Sequence, residues 1–101
     1  MIYATGGGKM FIIHVKATLK EGYAEKFLNG LLNVRPDVLK EDGCGEYTIT
    51  ILGDQVFCFE IWESDAHLDA HMKQPYMVEF FEKSKDWHEK DIEIKKYEVA
   101  Q

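Results

Sequence analysis

Glu60, Trp62 and His71 carry most of the chemical potential of this chain. A carboxylate and an indole two positions apart share one side of a strand, and the imidazole follows on the next helix, on its inward face. An imidazole changes charge near neutral pH, so His71 is the candidate proton acceptor, and Glu60 is the group that could hold its tautomer or share its proton. The same residues also admit a silent role. A strand glutamate and a helix histidine can form a buried, hydrogen-bonded pair that only fixes the helix on the sheet. Trp62 and Tyr76 can likewise be core or dimer contacts, since aromatic residues dominate burial in small domains.

The elements that must position these groups follow from periodicity. Met10 to Leu19 alternates as a strand, with Ile13, Val15, Ala17 and Leu19 on one face and Ile12, His14 and Lys16 on the other. Gly22 ends it. Phe27, Leu28, Leu31, Arg35, Val38 and Leu39 then recur at helical spacing, and Pro36 is expected to kink or divide that helix. Gly43 and Gly45 suit the positive backbone angles of a turn. Glu46 to Leu52 and Val56 to Glu63 form a hairpin around Gly53 and Asp54, with Tyr47, Ile49 and Ile51 on one side and Val56, Cys58, Glu60 and Trp62 on one face. Ser64 caps a helix in which Leu68, His71 and Met72 face inward and His67 lies on the border. Pro75 restarts a helix whose Met77, Phe80 and Phe81 point to the core, and Ile92 to Val99 closes the sheet.

Both faces of this sheet are apolar enough to need covering, yet the helices of one small chain can shield only one. A chain of 101 residues has room for a single modest core. A second copy is the expected cover, and His14 falls on the face that would meet it. A net charge of −6 makes nucleic acid a poor partner, and 46% hydrophobic residues argue against disorder. No apolar run is long enough to span a bilayer, and the start MIYATGGGK lacks the features of an export signal. The expected location is cytoplasmic. Cys44 and Cys58 are accordingly read as reduced structural thiols.

The segments VLKEDGCGEY (Val38 to Tyr47) and FEIWESDAHLDAHMKQPYMVEF (from Phe59) bring together a Gly-Cys turn, an E-x-W-x-S strand-to-helix junction and an A-H-x-x-x-P helix end. In that order and spacing they resemble the antibiotic biosynthesis monooxygenase family, and within it the small bacterial quinol monooxygenases. The resemblance runs from about Met10 to Val99. It implies a single α+β domain over residues 10–101, ferredoxin-like with a four-stranded antiparallel sheet, pairing sheet to sheet as a dimeric α/β barrel. It further implies oxidation of an electron-rich quinol or phenol by dioxygen without metal, flavin or haem, because the deprotonated ring is itself the electron donor. The protein need only bind the ring, remove a proton and admit dioxygen. In that frame His71 and Glu60 are the catalytic candidates. Trp62 would stack on the ring, and Tyr47, Tyr76 and His67 would complete the substrate contacts. The fold hosts several chemistries, so a non-oxidative isomerase and a non-catalytic aromatic-binding or stress-response protein remain as alternatives.

Other signals are weaker. Glu63, His67 and His71 are spaced four apart and could present three ligands along a helix, but no further His or Cys cluster and no HExxH accompany them. No metal is expected. The haem-degrading relatives use an asparagine on the first strand, where this chain has Ile13, Val15 and Ala17. His88 and the charged run Glu82 to Asp91 read as a solvated helix end, and residues 1–9 as an extension without assigned function.

Overall fold

A computed structural model of the chain describes residues 9–100. The extension expected at the N-terminus lies outside the described residues except for Lys9. The order of elements is β1 (Phe11–Thr18), α1 (Ala24–Val38), β2 (Cys44–Leu52), β3 (Gln55–Trp62), α2 (Asp65–Met72), α3 (Pro75–Ser84), a short 3-10 turn (Lys85–Trp87) and β4 (Glu93–Glu98). The four strands form one antiparallel sheet in the order β2-β3-β1-β4. This is an α+β, ferredoxin-like architecture with its helices on one face of the sheet.

Local chemistry explains most boundaries. Gly22 turns the chain out of β1 with φ of 86°. On α1, Ala24, Phe27, Leu31 and Val38 are buried, as an amphipathic stripe requires. Pro36 neither divides nor ends this helix where it stands. It occupies the last turn, and the helix closes at Val38 with the Leu39 N–H donating to the Arg35 carbonyl at 2.9 Å. Leu39 is therefore a cap residue facing solvent, not part of the apolar stripe. Gly53 takes φ of 60° in the two-residue β2–β3 turn. Gly43 is left-handed as expected, whereas Gly45 lies within a register shift between Cys44 and Glu46. Ser64 caps α2 by accepting from the His67 N–H at 3.3 Å, and Pro75 opens α3.

The covered face of the sheet holds the core, where Ile13, Ala17, Val56, Cys58, Tyr47 and Trp62 meet Phe27, Leu31, Met77 and Phe80. The opposite face is uncovered. There His14 lies against Phe59 and Tyr97 at ring distances of 5.3 and 5.2 Å, and Phe59 and Tyr97 are exposed. Met72 is also exposed, at 45%, rather than inside. His88 corrects the expectation of a solvated helix end. It is half-buried, packs edge-on against Phe27 at 5.1 Å, and its backbone bridges to Leu19. Burial lowers its pKa, because its charged form loses water contact without gaining a carboxylate. Among the described residues no helix is long and apolar enough to cross a membrane.

The two left-handed glycines Gly22 and Gly43 separate backbone strain from crowding. A Cβ on Gly22 would meet no atom within 4 Å, whereas one on Gly43 would lie 2.3 Å from His67 Cγ. Gly22→Ala is expected to cost about 1–2 kcal/mol of stability, the left-handed penalty alone. Gly43→Ala should cost about 2–4 kcal/mol in urea unfolding, because displacement of His67 is added. Equal losses in the two variants would contradict this assignment.

Candidate functional site

Strand β3 and helices α2 and α3 converge with the loop after α1 around His71, which is 1% exposed. Its ring stacks on Trp62 with centroids 4.6 Å apart at 28° and meets the edge of Tyr47 at 5.5 Å. Each ring nitrogen faces a carboxylate. Nδ1 is 3.0 Å from Glu41 Oε2, and Nε2 is 3.9 Å from Glu60 Oε1. The Tyr76 hydroxyl donates to the same Glu41 oxygen, while the Trp62 indole N–H donates to Glu60 Oε1 at 2.8 Å. The Glu41 and Glu60 side chains are 8% and 6% exposed, so neither carboxylate is a surface ornament.

Burial sets the protonation of the groups around this imidazole. Desolvation pushes the Glu60 carboxyl above its ordinary 4.5, against the pull of the Trp62 hydrogen bond and the His71 ring. Burial likewise drives the Tyr47 hydroxyl and the Cys58 thiol far up, so both keep their protons at neutral pH. Tyr76 is raised by desolvation and then by its bond to Glu41, and desolvation takes the Cys44 thiol to about 11. Neither cysteine is an activated nucleophile.

A cavity of about 300 Å³ lies between the covered sheet face and α2 and α3. Ile13, Val15, Leu68, Met77, Phe81 and Ile92 form apolar walls, and Tyr47, Glu60 and His71 also line it. Met72, Ile94 and Lys96 complete the lining and are themselves exposed, so they mark its solvent side. Lys96 is tied to Asp65 and lies over the Phe11 ring at 4.4 Å.

The residues singled out from sequence divide into three groups. Glu60, His71 and Tyr47 line the cavity. Trp62 is fully buried behind His71, and its ring packs on the imidazole, so it is not part of the cavity wall. Tyr76 is turned to Glu41, and His67 is turned to Ser64 Oγ at 2.6 Å and Asp42 Oδ2 at 3.2 Å, away from the cavity. The helical spacing of Glu63, His67 and His71 produces no shared centre, because His67 and His71 bond to different carboxylates and Glu63 is exposed. Glu41 was not legible. It stands in the short charged run Lys40 to Asp42 after the helical stripe, and only its place before the Gly43 turn hints that the chain doubles back toward α2. A second concavity, of about 360 Å³, lies on the open sheet face beside His14, Lys16, Phe57 and Phe59.

Residues 10–83 match the family described as Antibiotic biosynthesis monooxygenase. The chain belongs to that family. Among its relatives, a protein of Escherichia coli (strain K12) named "Probable quinol monooxygenase YgiN" is 30% identical over 82 residues, covering 70% of this chain and 79% of that protein. The "Uncharacterized protein sll1783" of Synechocystis sp. is 39% identical over 64 residues, covering 60% of this chain. The matched region spans only 44% of that cyanobacterial protein. Solved structures of similar fold include Rv0793 from Mycobacterium tuberculosis, with a TM-score of 0.85 at 15% identity, covering 91% of this chain and 96% of that one. A conserved protein from Methanosarcina mazei Go1 gives 0.81 at 23%, covering 88% of this chain and 91% of that one. At such identities the likeness speaks for the fold of this family, and chemistry must be argued from the site.

Glu60 offers a direct check on the site's electrostatics. The folded protein holds this proton to higher pH than the unfolded chain does, so ionisation in the unfolded state draws stability away as pH rises above 4.5. Glu60→Gln keeps an acceptor for Trp62 and lacks that loss. Its stability relative to the wild type, from urea unfolding, is expected to improve between about pH 4 and about pH 7. A difference that does not change with pH would contradict the raised carboxyl.

Proposed function

We propose that this chain is a monooxygenase that oxidises a small quinol or phenol with dioxygen, using no bound cofactor. The observation that carries the reading is a buried imidazole, His71, in the wall of an apolar cavity, with its Nδ1 paired to Glu41 and its ring stacked on Trp62. A cavity of about 300 Å³ lies at the small end of ligand sites, which favours a compact aromatic molecule. Its apolar walls suit both the ring and dioxygen.

In this reading His71 Nε2 accepts a phenolic proton, and the ring anion is the reductant. Electrons pass from the ring to dioxygen, a carbon–oxygen bond forms to give a ring hydroperoxide, and loss of water breaks the oxygen–oxygen bond. A quinol and dioxygen thus become a hydroxyquinone and water, with all four oxygen atoms accounted for. Glu60, whose carboxyl burial raises above its ordinary range, stands in the cavity wall where a substrate oxygen could meet it, and Tyr47 adds a hydroxyl that keeps its proton. Trp62 acts through His71 and not on the ring.

The homodimer belongs to the same proposal. The uncovered sheet face carries exposed Phe59 and Tyr97, and pairing it with a second copy would bury both. Light scattering is expected to give twice the 11.7 kDa of one chain, and Phe59→Asp to shift the protein toward monomer. A wild-type monomer at micromolar concentration would contradict it.

Oxygen uptake with a panel of hydroquinones tests the activity. Turnover is expected with at least one, falling about 10²–10⁴-fold in His71→Ala with the fold retained. Absence of oxygen uptake on every member, or turnover that proceeds equally without oxygen, would set this reading aside. The second outcome would favour an isomerase.

A further inference from the structure

We propose that Glu41 is the positioning residue of His71: it accepts a hydrogen bond from Nδ1–H, fixes the neutral imidazole in that tautomer and leaves Nε2 bare toward the cavity. The catalytic consequence rests on the reading above, whereas the tautomer does not. Two carboxylates compete for the imidazole proton, and geometry decides between them. Glu41 Oε2 lies at hydrogen-bond distance from Nδ1, 3.0 Å, while Glu60 Oε1 stands 3.9 Å from Nε2, beyond a direct bond. Glu60 Oε1 is also already engaged by the Trp62 indole N–H at 2.8 Å. A hydrogen bond to a carboxylate in so buried a place is stronger than one at the surface.

The ring cannot easily turn to change this arrangement. Trp62 stacks on the imidazole, and Tyr47 meets it edge-on. Glu41 is held in turn by the Tyr76 hydroxyl on α3, so the loop after α1, helix α2 and helix α3 all meet at one carboxylate oxygen. Tyr76 thus bears on His71 through Glu41. With the Nδ1 proton committed, Nε2 is the lone pair left to receive a proton from a bound ring. Glu41 is then needed again when the imidazole becomes charged, as the orienting carboxylate of a base must be.

Nitrogen-15 NMR of the His71 ring reads the tautomer without any substrate. The wild type is expected to show neutral His71 protonated at Nδ1, Tyr76→Phe to preserve that state, and Glu41→Met, which keeps the length of the side chain and removes its acceptor oxygens, to shift population toward the Nε2–H form. In turnover, Glu41→Met is expected to lower kcat by about 10–100-fold with KM nearly unchanged. Neutral His71 carrying its proton on Nε2 in the wild type would overturn the proposal, as would a tautomer unmoved in a folded Glu41→Met protein. If no quinol is turned over at all, the NMR result still decides the role of Glu41.

Discussion

Burying an imidazole between two carboxylates is costly unless each group finds a partner, and that constraint shapes the covered side of this molecule. His71 finds Glu41 at one nitrogen, Trp62 on its face and Tyr47 at its edge. Glu41 in turn requires Tyr76, and Glu60 requires Trp62. Removing one member of such a set leaves a buried polar group unpaired, so the loop after α1, strand β3 and helices α2 and α3 are held to one arrangement. Packing positions the site, and the site's own hydrogen bonds fix how those elements meet.

The same arrangement explains why a polar cluster can border an apolar cavity. Most of its hydrogen-bonding capacity is spent inward, on protein partners behind the wall. What faces the cavity is an imidazole, a carboxyl raised by burial and a phenol that keeps its proton. The geometry that fixes α2 on the sheet thus also sets His71 and Glu60 beside the cavity.

Much of the fold was legible because alternation and helical spacing report burial directly. Ile13 and Ala17 on one strand, and Val56, Cys58 and Trp62 on another, were each grouped on one side from period two alone, and the sheet turns both groups to the covered face. Pro36 does not divide α1, which runs on through it to close two residues later at Val38. Leu39 and Met72 misled because periodicity cannot tell the inward stripe from a helix end that runs out of partners. In the site, His71 and Glu60 were visible as polar residues at core positions. Glu41 was not, since its burial comes from a loop folding back under α2, a long-range contact that leaves no periodic trace. Trp62 and Tyr76 were visible as aromatic residues, but which neighbour their polar atoms choose depends on side-chain direction, not on spacing.

The central claim is that the cavity beside His71, and not the concavity on the open sheet face, receives an aromatic ring. Chemical-shift mapping with a naphthohydroquinone under anaerobic conditions tests it, because no turnover can then disperse the signal. The account predicts that resonances of His71, Tyr47, Leu68 and Met77 move together with saturation. Shifts confined to His14, Lys16, Phe57 and Phe59, with His71 unmoved, would contradict it.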